Sequence, residues 1–149
     1  MKPVVTLILV ADAANARYFL HEGPGHGIKA LAARDLAEPH RPSRDIAADK
    51  PGRAFESTGA RRSAMEPRHD AHDLMEAGFA RRLAETLPDV MQAEGAERVI
   101  VCADPKTLGL VRGLLPVHAA ERLAATLDKD LVKLPAKDMA AHLEDLLAM

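Results

Sequence analysis

Tryptophan is absent, and tyrosine occurs once, phenylalanine three times and cysteine once in a chain of 149 residues. A single thiol, Cys102, excludes an intrachain disulfide and agrees with a reducing cytoplasm. With aromatics at 3%, the core falls to Ala, Leu, Val, Ile and Met, and a platform of exposed rings for stacking single-stranded nucleic acid is missing. No apolar run approaches the roughly 20 residues that span a bilayer, so no membrane partner is expected. Charge is nearly balanced. A net −2 exerts no global pull on polyanions, and any nucleic-acid contact must come from a local patch. What is present, 48% hydrophobic and 28% charged residues, suits one globular domain over 1–149 with no internal repeat.

Lys2 followed by the apolar run Val4 to Val10 faintly resembles a secretory signal. The run is short and carries one cation before it, whereas its β-branched residues suit a buried strand. The strand reading is taken, and with it a cytoplasmic protein.

Val4 to Val10 is thus the first expected strand, Ala16 to His21 the second and Ile28 to Leu36 the third. The connections are short, one of them through Gly23-Pro24-Gly25-His26-Gly27, which favours an antiparallel meander. From Ala37 to Pro67 no helical or strand period persists, and prolines recur at Pro39, Pro42, Pro51 and Pro67. A loop of that length inside one domain is functional or disordered. Asp70 to Glu94 then reads as a helix, with Leu74, Met75, Gly78, Phe79, Leu83 and Leu87 as its core stripe, Pro88 as a kink or split, and Gly95 as its stop. Arg98 to Ala103 is expected to be a strand buried on both faces. Helices over Lys106 to Leu115 and Val117 to Ala125 follow, then a strand over Thr126 to Leu134 and a helix over Ala136 to Ala148. The fold class is α/β with a mixed sheet: a three-stranded meander, a long basic loop, then α-β-α-β-α.

Placed on these elements, the chain resembles the bacterial host-attachment family, proteins named as required for attachment to host cells. The resemblance rests on Leu9-Val10-Ala11-Asp12, Ala16-Arg17 and the Gly23-Pro24-Gly25 turn. It continues through Arg44-Asp45, Asp49-Lys50-Pro51-Gly52-Arg53 and Ala64-Met65-Glu66-Pro67, and ends with Phe79-Ala80 and Leu127-Asp128-Lys129-Asp130-Leu131. That family is similar in layout to the central domain of archaeo-eukaryotic peptide-chain release factors, whose loop carries Gly-Gly-Gln. Here the corresponding stretch is Ser57-Thr58-Gly59-Ala60-Arg61-Arg62-Ser63. Release-factor chemistry therefore does not transfer, and the resemblance implies only where a basic loop sits.

Three groups of residues are candidates for chemistry. The loop presents Arg44, Lys50, Arg53, Arg61, Arg62 and Arg68, with Arg41, and is net positive inside a net negative chain. Arginine forks suit phosphate, so one reading is a clamp for RNA, the ribosome or an acidic protein partner. The other is a solvated loop whose arginines pair with Asp45, Asp49, Glu56 and Glu66. His69, His72 and Asp73 share a helical face and would supply part of a metal set, or they simply open a helix with acids at its positive end. Asp12, Glu76 and Asp104 are the weakest group. A ribonuclease-H-like layout would use such acids to hold metal for phosphoester hydrolysis, while a turn and a helix cap account for Asp12 and Asp104 without it. Cys102 lies in an apolar strand and reads as inert, and Ser57, Thr58 and Ser63 lack a nucleophile elbow. A non-catalytic binding module without a cofactor is the leading expectation. An indirect part in attachment and a metal-dependent phosphoesterase or nuclease are its rivals.

Overall fold

The computed structural model describes residues 3–38 and 66–147, with residues 66–70 described by their helical backbone alone. Its centre is β1 (Thr6–Ala11), six residues that are all buried. A strand buried throughout needs neighbours on both sides and a cover on both faces, and β1 has them. Antiparallel β2 (Asn15–His21) flanks it with Thr6 opposite His21, and parallel β5 (Arg98–Ala103) flanks it with Thr6 opposite Arg98. The six-stranded mixed sheet runs β3-β2-β1-β5-β6, where β3 is Lys29–Ala30, β6 is Leu123–Leu127 and β4 (Leu36–Ala37) also pairs with β2.

One face of the sheet presents Leu7, Leu9, Tyr18, Val99 and Val101 to the helices that follow. Against it pack Phe79, Leu83 and Leu87 of α1 (Glu66–Glu94), Leu108 and Val111 of α2 (Pro105–Leu114), and Ala119 of α3 (Val117–Ala120). The alternate residues Ile8, Val10, Phe19, Ile100 and Cys102 face the other way, onto Met139 and Leu143 of α4 (Ala136–Leu143) and onto Leu147. The two-residue period of β1 and β5 therefore builds two cores back to back.

The meander, the central strand and the order of elements match the expectations; several bounds do not. The third strand is broken into β3 and β4 by a 3-10 turn at Ala32–Arg34. Of the loop expected over 37–67, Ala37 is in β4 and Pro67 sits in the first turn of α1, where a missing N–H costs nothing, and residues 39–65 lie outside the described residues. Pro88 neither ends nor splits α1, which is one helix to Glu94. It stops where Gly95 takes φ +68° and Ala96 N–H reaches back to the Met91 carbonyl at 2.9 Å, a left-handed glycine cap. Leu74 and Gly78 are on the outer side of α1, and the stripe runs instead through Phe79, Ala80, Leu83, Ala84, Leu87 and Met91. The final strand is Leu123–Leu127 rather than Thr126 to Leu134, α3 stops at Ala120, and α4 stops at Leu143.

Candidate functional site

Because β5 pairs parallel with both β1 and β6, the carboxyl ends of these strands share one edge of the sheet. Ala11 is level with Ala103, so Asp12 and Asp104 leave the sheet side by side, and Asp128 follows Leu127 on the next strand. Open α/β sheets bind ligands outside this edge, usually where successive crossover helices lie on opposite faces. Here α1 and α2 both pack on the same face, so the edge offers no such crevice of its own.

The two central acids are engaged by backbone. Asp12 Oδ1 accepts from Ala14 N at 2.9 Å and Asn15 N at 2.7 Å, closing the turn into β2. Asp104 is the N-cap of α2, its Oδ2 accepting from Thr107 N at 3.2 Å with Pro105 at the first helical position. Glu76 belongs to a different unit. Lys106 Nζ lies 2.8 Å from Asp73 Oδ1 and 2.6 Å from Glu76 Oε2, tying the first half of α1 to the start of α2. The Glu76 contact is an ion pair without hydrogen-bond angles. The hydrogen bond to Asp73 and then the contact with Glu76 hold Lys106 above the usual lysine range. Asp12, Glu76 and Asp104 thus come to one edge with separate structural tasks. Among the described residues no group of three or more His, Cys, Asp or Glu side chains is placed to hold a metal ion.

The described flanks of the Arg-rich segment contact the scaffold near this same edge. On the way in, Ala37 pairs with Asn15, Glu38 N donates to the Ala14 carbonyl at 2.8 Å, and Glu38 forms an ion pair with Arg82 of α1. On the way out, α1 begins two turns before Asp73, which Lys106 holds beside Asp104. Arg44, Lys50, Arg53, Arg61 and Arg62, with Ser57, Thr58 and Ser63, lie outside the described residues. Arg68 and His69 fall in the first turn of α1, where only the backbone is described, and His72 and Asp73 follow one turn later.

Some contacts were not legible beforehand. Arg17 Nη1 donates to the carbonyls of Val132 at 2.9 Å and Leu134 at 2.6 Å, with its guanidinium 4.8 Å from the Phe19 ring centroid. It fastens the segment after β6, and its only prior signal was its place beside Ala16 in the family pattern. Lys106 carried no signal, because its partners lie 30 or more positions away on another helix. A groove of about 330 Å³ opens at the opposite edge, with Asp89, Gln92, His118 and Arg122 above Pro88 and Met91. Cys102 is fully buried and its thiol is pushed up to about 12 by burial, which keeps it protonated and inert.

Comparison with known proteins agrees with the motif pattern. The family model described as "Protein required for attachment to host cells" matches residues 7–143. No curated protein matches the chain. Among solved structures, the crystal structure of archaeal translation termination factor aRF1 aligns with TM-score 0.49 and 14% identity over 95% of this chain. The chain spans 39% of the length of that factor. Among the described residues no helix is long and apolar enough to cross a membrane.

Proposed function

We propose that this chain, which belongs to the family of proteins required for attachment to host cells, is a non-catalytic binding module whose Arg-rich segment engages RNA, with the ribosome as its partner. One observation carries the reading: the sequence stretch with Arg44, Lys50, Arg53, Arg61 and Arg62 follows β4, paired at the carboxyl edge of the sheet, and precedes α1, whose second turn is tied by Asp73 to Lys106 of α2. Tethering both ends to a rigid scaffold lowers the entropy lost when a loop orders on a ligand. Arginine also supplies paired donors for phosphate without losing its charge at any physiological pH. Arg68, in the first turn of α1, extends the same basic run onto the helix.

On this reading Asp12 and Asp104 support the scaffold, and attachment depends on the protein indirectly, through regulation inside the cell. The test is co-sedimentation with ribosomes at low and high salt, using the intact chain and the Arg61→Ala/Arg62→Ala variant. Losing two phosphate contacts should flatten the log–log salt dependence by about 1.4 to 1.8, at roughly 0.7–0.9 per contact. Asp12→Asn keeps an acceptor for the turn and should bind as the parent does. Absence from the ribosomal fraction at low salt would refute the proposal. Salt-sensitive pelleting that survives nuclease treatment would replace RNA with an acidic protein partner.

A further inference from the structure

The two edges of the sheet are managed differently. At one edge β3 is two residues long and contains Lys29, a short and charged end that resists pairing with another chain. At the other, β6 is Leu123-Ala-Ala-Thr-Leu127, five residues without charge or proline, and among the described residues nothing pairs with its outer side. An uncharged edge strand is a template for strand addition.

The direction of its backbone follows from one hydrogen bond. Val99 N donates to the Arg122 carbonyl at 2.9 Å, so the odd-numbered residues of β5 turn their backbone groups toward β6. Val101 does likewise, and in a parallel ladder the residue level with it, Thr126, points its own N–H and C=O away from β5. Ala124 is absorbed by a bulge between Val99 and Ile100, leaving Ala125–Leu127 regular.

The flanking charges select the occupant. Glu121 and Arg122 precede the strand, while Asp128, Lys129 and Asp130 follow it, and all five are exposed. Two copies related by a two-fold axis must pair antiparallel, and a centre at Thr126 sets Arg122 of each opposite Asp130 of the other, with Asp128 one diagonal step away. A centre at Thr126 pairs hydroxyl with hydroxyl and keeps Ala125 and Leu127 on the face that already carries the second core.

We infer that β6 is a self-association edge, through which two copies of this chain join their sheets antiparallel around Thr126. Sedimentation velocity of the intact protein over a wide concentration range should show a species of twice the chain mass. Thr126→Pro removes the outward N–H while sparing the groups that face β5, and should leave a folded monomer with unchanged circular dichroism. Arg122→Glu should weaken the dimer at least tenfold, and Arg122→Glu with Asp130→Arg should restore it. A parent protein that stays monomeric at high concentration overturns the inference. So does a dimer that survives both Thr126→Pro and Arg122→Glu, the second variant deciding the matter if the first does not fold.

Discussion

His21 shows how much a single residue can hide. It ends β2 as a polar residue in a strand, with Thr6 directly opposite, and is 1% exposed with neither ring nitrogen hydrogen-bonded. Across the same row lies Arg98, whose Nε donates to Thr6 Oγ1 at 2.7 Å, and His26 approaches from the turn after β2. Burial first, then Arg98 and His26, push His21 below its ordinary 6.5. The folded protein therefore binds fewer protons than the unfolded chain in this range. Stability is fully present above about pH 6.5 and is lost as pH falls from there through the folded value, by at most about 1.4 kcal/mol per pH unit. A thermal melt series across this range should show the parent losing Tm on acidification, and His21→Leu should flatten that loss. A variant that falls in parallel with the parent would assign the slope to other groups. The sequence marks this residue only as one histidine among seven; the row that makes it sensitive requires the register of three strands.

At the scale of elements, legibility followed the density of branched apolar residues. Arg98–Ala103 is legible to the residue, because Val, Ile and Val in a run fit a buried strand and little else. Alanine-rich stretches are less legible. Glu121 to Ala125 reads as helix by propensity, yet Leu123–Leu127 is drawn into the sheet by β5, since pairing overrides a weak local preference. Among the described residues the segment after β6 has no strand partner and is fastened by Arg17, which no local pattern foretells. Removing that donor leaves two part-buried carbonyls without it, at a cost of about 1.5–3 kcal/mol for charge-assisted bonds. Arg17→Ala should therefore lower the urea midpoint and raise amide exchange across 128–138, from the residue after β6 to the start of α4. Exchange in α1, on the far face of the sheet, should stay near the parent level. Uniform acceleration throughout the chain would mean that Arg17 supports the whole fold and not this segment.

At the scale of the whole molecule, the described residues form a scaffold on either side of residues 39–65 in the sequence. The two described cores close on each other across the sheet, drawing on β1, β2 and β5 in the middle and on four helices outside. The residues that flank 39–65 are held where β2 begins, by Leu36–Glu38, and where Lys106 grips α1 at Asp73 and Glu76. The sequence made the segment visible through its prolines and its charge, but hid its placement, because Asn15, Arg82 and Lys106 gain meaning only after the helices pack. If the scaffold is self-sufficient, replacing residues 39–65 with a Gly/Ser linker of equal length keeps the loop-closure entropy and removes the side chains. The replaced protein should melt within a few degrees of the parent, as about 1 kcal/mol shifts Tm by roughly 2–8 °C in domains of this range. The salt-sensitive association with ribosomes proposed above should vanish with the replaced side chains. Retained association would move the binding surface onto the described face, with the Lys106 cluster the first place to look. A large fall in Tm would instead make the segment part of the core, and its arginines would then have to be judged one at a time.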